Sequence, residues 1–110
     1  MSAAVGNYPY GLIIVPFSAT PTFDCSQGNV FLMTLTGNVT SFTLTNPMAG
    51  MVYTFIFKQD GSGLHSVAWP ATFKGIIPIT ITAVASTSAV QTVIYDGTNF
   101  YAISLGLINL

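Results

Sequence analysis

Short runs of β-branched and aromatic residues, each closed by Gly, Pro, Asn or Asp, succeed one another from residue 11 to residue 105. No stretch carries a 3.6-residue apolar period, and a helix needs one sustained over roughly 10–12 residues. The chain is therefore confined to an all-β fold. The spacing predicts strands over residues 11–15, 22–25, 29–36, 39–45, 51–59, 66–69, 79–83, 89–95 and 100–105, a rhythm that suits a sandwich or a barrel. Residues 1–10 show no alternation and read as an extended N-terminal arm. Residues 11–110 read as one domain, because no linker or repeat divides them.

The alternation within the runs assigns faces. Thr40, Phe42 and Leu44 share one side of their run, with Val39, Ser41, Thr43 and Thr45 on the other, as in a half-buried strand. Met51, Tyr53, Phe55 and Phe57 share a side, but Val52 and Ile56 make the reverse side apolar too. That strand is expected to be central, covered by its own core and by a neighbouring subunit. The clearest hairpin joins residues 89–95 to 100–105 through Asp96-Gly97-Thr98-Asn99, where Gly97 and Asn99 accept positive φ. Thr36-Gly37-Asn38 marks a second turn, and Asn46-Pro47 with Gly50 a third. Trp69-Pro70 ends a strand abruptly, since proline cannot donate to a central ladder.

Charge is the next constraint. Only Lys58, Lys74, Asp24, Asp60 and Asp96 are charged, 5% of the chain where about 25% is ordinary. Disorder does not explain this, because disordered chains are charged and poor in aromatics, and here 13% of residues are aromatic. A net charge of −1 offers no footprint for nucleic acid and no polybasic patch for a membrane surface. No apolar run approaches the roughly 20 residues of a spanning helix. The surface must be built from hydroxyl and amide side chains, or be buried against neighbours. The start of the chain lacks the basic and apolar blocks of a signal peptide, so release by cell lysis is the expected route outward.

Few residues are equipped for chemistry. Cys25 is alone and reads as a small buried hydrophobe. His65 is the one histidine, set in Asp60-Gly61-Ser62-Gly63-Leu64-His65-Ser66, and reads as a turn residue rather than a catalytic base. One Cys, one His and three Asp are too few for a zinc site. Asp60 and Asp96 each precede Gly, where Asp caps backbone amides. The Gly-rich segment lacks the Lys and helix of a phosphate loop. Asn38-Val39-Thr40 fits a glycosylation pattern common by chance and more simply starts a strand. No catalytic residue, cofactor or metal is expected. Exposed aromatics stack on sugar rings, and Tyr8, Tyr10, Trp69 and Tyr101 are candidates for that role.

A resemblance emerges from the middle of the chain. Phe42-Thr43-Leu44-Thr45-Asn46-Pro47, then the run from Gly50 through Gln59-Asp60-Gly61-Ser62-Gly63, then Val67-Ala68-Trp69-Pro70, and finally Ile94-Tyr95-Asp96-Gly97-Thr98-Asn99-Phe100-Tyr101 resemble a recurring β-module of tailed-bacteriophage structural proteins. It covers about residues 39–105. It implies an antiparallel β-sandwich, jelly-roll-like, carried as a homotrimer on capsids, tail tips or fibres, with no conserved catalytic residues. No long shaft or collagen-like repeat precedes the module here, which favours a small protein seated directly on the virion.

The expectation is a phage virion structural protein: a trimeric capsid decoration protein that stabilises the shell through contacts with the major capsid protein. The arm residues Tyr8, Pro9 and Tyr10 and the apolar tail residues Leu107, Ile108 and Leu110 are its expected partner contacts. The alternative is a tail-fibre or baseplate domain that recognises host surface glycan through the loops carrying Trp69, Asp96, Asn99 and Tyr101. A carbohydrate-active enzyme is disfavoured, since glycosidases place two carboxylates and only three acids exist in the chain.

Overall fold

Among the described residues eight short strands form, seven of them where the alternating runs predict them, but most are wound rather than folded back and forth. A computed structural model describes residues 11–76, 83–104 and 106–110. Its strands are β1 (Leu12–Ile14), β2 (Thr22–Asp24), β3 (Val30–Leu35), β4 (Thr43–Thr45), β5 (Val52–Gln59), β6 (Phe73–Lys74), β7 (Ser88–Tyr95) and β8 (Phe100–Ala102). One sheet has the order β1-β3-β5-β7-β8-β6, and a second pairs β2 with β4.

The register corrects the expected fold. β1 pairs with β3 in parallel, Leu12 opposite Val30. β3 pairs with β5 in parallel, Val30 opposite Thr54. β2 pairs with β4 in parallel, Phe23 opposite Leu44. The first two circuits of the chain thus each lay one strand on the first sheet and one on the second, and the third stacks β5 on β3 and bridges Val67 to Val39. The result is a β-solenoid of about three turns with mostly parallel strands, not an antiparallel jelly-roll-like sandwich. A parallel bridge from Val39 to Val67 and the bond from the Thr40 amide to the Ala19 carbonyl, 2.8 Å, register the corners between circuits. Antiparallel pairing is confined to β5 with β7 and β7 with β8. The expected hairpin through Asp96–Asn99 is therefore present, and it closes one end of the coil.

Other expectations shift locally. The run 39–45 yields only Thr43–Thr45 as strand, because the chain turns a corner between Val39 and Phe42 and buries both. The run 66–69 keeps only the Val67 bridge. β6 was not anticipated; it lies just beyond Pro70 and pairs with β8. The arm over 1–10, and residues 79–82 of the expected strand 79–83, lie outside the described residues.

The core is aromatic. Phe31 of one circuit stacks under Phe55 of the next, centroids 5.5 Å apart. Phe23 enters from the second sheet and meets Phe55 edge-on at 5.3 Å. Tyr53, Phe55 and Phe57 are essentially inaccessible, as their shared side of β5 requires. Burying each such ring contributes about 1.5–3 kcal/mol, and edge-to-face pairs add about 0.5–1.5 kcal/mol. Gln59 ends the row among apolar neighbours. Its amide is satisfied by the His65 backbone, accepting from the amide at 3.1 Å and donating to the carbonyl at 2.9 Å.

Candidate groove between the Pro70 loop and the closing turn

All three aspartates serve as turn caps. Asp24 Oδ1 accepts from the Ser26 hydroxyl, the Ser26 amide and Asn46 Nδ2. Asp60 Oδ1 accepts from the Ser62 and Gly63 amides and lies 3.0 Å from His65 Nε2. Asp96 Oδ1 accepts from the Thr98 and Asn99 amides at 2.8 and 2.7 Å. For Asp24 the Ser26 hydroxyl bond leads in holding the carboxyl below its ordinary value, and for Asp96 the Asn99 and Thr98 amides do so. At Asp60 partial desolvation pushes upward, but the amides of Ser62 and Gly63 with His65 outweigh it and the net shift is down. Burial, with the Asp24 charge, pushes the Cys25 thiol up to about 12. Among the described residues no three His, Cys, Asp or Glu side chains gather as metal ligands do.

The turn that Asp96 caps faces a second loop. Pro70 accepts from the Phe73 amide at 2.9 Å, and Thr72 accepts from the Phe100 amide at 2.8 Å, which binds β6 to β8. Phe73 and Phe100 stack at 4.5 Å, Tyr95 stacks on Phe100 at 4.4 Å, and Phe42 meets Phe73 edge-on at 5.5 Å. Between these loops and the end of β4 lies an open groove of about 260 Å³. Its walls carry the half-buried ring of Tyr95 beside the buried rings of Phe42, Phe73 and Phe100, Pro47 and Pro70 as rigid corners, and Thr43, Thr72 and Thr98 as hydroxyl groups; no charged residue lines it. Tyr95 Oη donates to the Gly97 carbonyl at 2.9 Å, which fixes that ring against the turn. A larger concavity of about 430 Å³ shares Pro70 and Phe73 with the groove and is otherwise apolar.

The residues expected to touch ligand are redistributed. The two loops do converge, but Trp69 turns inward, edge-on to Phe55 and Phe57 at 5.6 and 5.7 Å. Asp96 spends its carboxylate on the turn. Asn99 reaches Tyr101 Oη at 3.4 Å, and Tyr101 stands opposite Ile94, on the far side of the strand from Phe100. The groove is instead lined by Tyr95, Thr98 and Phe100 from the turn and Pro70, Thr72 and Phe73 from the loop. The placing of Tyr95 and Phe100 on either side of Asp-Gly-Thr-Asn was the available signal for this. Of the expected partner contacts, Leu107, Ile108 and Leu110 are exposed; Leu107 bridges Val90 and Leu110 exchanges both backbone bonds with Ser88, so the tail lines β7. Tyr8, Pro9 and Tyr10 lie outside the described residues.

Residues 19–100 match a family model described as "Putative phage tail fibre C-terminal domain". The match spans well over half of the chain and includes both walls of the groove. Searches among curated proteins and among solved structures return no match.

Proposed function

The chain belongs to the phage tail fibre C-terminal domain family, and from that premise we propose that it is the receptor-recognising module of a tail fibre, with the groove as its contact for host surface glycan. As a family member it is a phage virion module. The family favours the tail-fibre reading over capsid decoration, for which nothing else in the chain argues. Among the described residues no helix is long and apolar enough to cross a membrane.

The observation that carries the proposal is the chemistry of the groove walls. The half-buried Tyr95 ring, with Pro47 and Pro70, offers apolar surface to the C–H face of a sugar ring, and the exposed hydroxyls of Thr43, Thr72 and Thr98 both donate and accept, as sugar hydroxyls do. With no charge in the lining, the ligand class is a neutral saccharide rather than a phosphate or a sialic acid. A volume of about 260 Å³ lies just below the roughly 300–1,000 Å³ of sites for drug-sized molecules, which suits one or two sugar rings of a longer polymer. The walls belong to the closing end of the coil and are tied together by β6–β8 pairing, so binding needs little rearrangement and little entropy is lost.

Fluorescently labelled protein added to host cells tests this. Saturable cell binding, displaced by the soluble neutral surface polysaccharide, is the expected result. Binding to empty phage shells without binding to cells overturns it and returns the decoration reading.

A further inference from the structure

The outer side of the large sheet is as apolar as a core. In the coil-forming lanes the inward set is Ile13, Phe31, Phe55 and Gln91, so the register places Ile14, Leu32, Ile56 and Val90 in one row on the opposite face. Leu107 extends this row through its bridge to Val90. The next row is Leu12, Val30, Thr54 and Thr92, and beyond it stand Val52, Ile94 and Tyr101. Ile14 is 73% exposed and Leu12 55%. An ordinary solvated sheet face alternates to polar residues here.

We infer that this face is where copies of the chain pack on one another. Three observations favour a second copy as the occupant. First, the two hydroxyls at the centre of the face, Thr54 and Thr92, bond each other at 3.1 Å. Drying the centre therefore leaves one O–H donor to be satisfied by the facing copy rather than two. Second, charge is confined to the rim: Lys58 lies in the end row with Thr34 and Ser88, and Lys74 lies outside Tyr101 on the edge strand. A neutral centre makes no demand for an oppositely charged partner and does not repel its own copy, whereas the apolar centre with polar rim is the anatomy of a specific interface. Third, the size fits. Five lanes at about 4.8 Å spacing and seven positions at about 3.3 Å give a flat footprint of roughly 550 Å². A pleated face of that footprint exposes more than its projection, close to the roughly 800 Å² per partner of a stable complex. Sheets of identical copies then meet face to face at about 10 Å, pairwise or around a three-fold axis.

Sedimentation equilibrium of the full chain from 1 to 100 µM tests this against Ile14→Lys and Ile56→Lys. The wild type is expected to self-associate, and each variant to weaken association at least tenfold while its far-ultraviolet circular dichroism stays unchanged. The mass of the associated species distinguishes a dimer from a trimer. A wild-type chain that is monomeric at 100 µM overturns the inference, as does a variant that associates like the wild type. A monomeric wild type whose Tm falls in Ile14→Lys would mean that the chain covers the face itself, which overturns it equally. Glycan binding by an Ile14→Lys monomer separates this outcome from the fate of the groove.

Discussion

Phe73 and Phe100 stack with centroids 4.5 Å apart and planes 13° from parallel, and this pair fastens the Pro70 loop to the closing turn. It sits where a two-residue strand, β6, meets the last strand of the main sheet. Two backbone-paired residues alone would hold a loop weakly. The stack makes one rigid wall of two segments far apart in sequence.

Phe100→Leu keeps most of the buried volume but removes the stacks on Phe73 and Tyr95. A loss of about 1–2 kcal/mol is expected, since stacked pairs add about 0.5–1.5 kcal/mol beyond burial. For a domain of this size that is a fall in Tm of roughly 5–10 °C, readable by calorimetry. An unchanged Tm would mean that the stack is incidental.

Gly63 and Gly61 lie in one turn and should respond differently to alanine. Gly63 has φ +66°, and a Cβ there would stand 2.6 Å from the Ala85 backbone nitrogen, whereas nothing lies within 4 Å of one at Gly61. Gly63→Ala is expected to cost about 1–3 kcal/mol, the scale of a strained backbone position. Gly61→Ala should stay within about 0.5 kcal/mol. Urea unfolding of both variants checks the contrast.

Acid should loosen all three turns. The carboxyls of Asp24, Asp60 and Asp96 are held below their ordinary value in the folded chain. The unfolded chain therefore takes up protons first. The stabilisation is full above the unfolded value near pH 4 and is lost as pH falls through the lower native values. Tm measured from pH 7 to pH 2 should decline below about pH 4, and Asp96→Asn should reduce that decline. A Tm that rises on acidification contradicts the capping geometry.

Cys25 should be inert while the chain is folded. Burial and the neighbouring Asp24 charge raise its thiol to about 12, and the thiolate is the reactive form. At pH 8 a disulfide reagent is expected to react at the rate of unfolding, and rapidly once urea is added. Fast labelling of the native protein would refute this.

Strand positions were legible in the sequence because period-two alternation marks them, as Tyr53, Phe55 and Phe57 illustrate. Strand direction was not, because alternation is the same in parallel and antiparallel strands. The coil betrays itself only by register: Leu12 lies over Val30 and Val30 over Thr54, yet their local sequences share no repeated motif. Corners misled as well, since Val39 and Phe42 both point inward across a bend that a straight strand forbids. At the site, the convergence of the Trp69-Pro70 and Asp96–Tyr101 segments was anticipated, but the direction of each side chain depends on β6. That strand owes its existence to pairing with β8 rather than to any local propensity. The apolar reverse face of Val52 and Ile56 was legible directly, and it leads to the packing surface inferred above.

The central claim is that the groove takes neutral glycan, and titration of purified neutral host surface polysaccharide into the protein by calorimetry tests it most directly. Thr72→Arg is the informative variant. Its side chain is exposed on the groove wall, and the hydrogen bond it supports comes from the backbone carbonyl, so folding should be preserved. The account predicts saturable binding by the wild type and at least a tenfold weaker affinity in Thr72→Arg, which is about 1.4 kcal/mol, with Tm unchanged. Equal binding by both proteins, or no binding by the wild type to glycan from cells that it decorates, would contradict it.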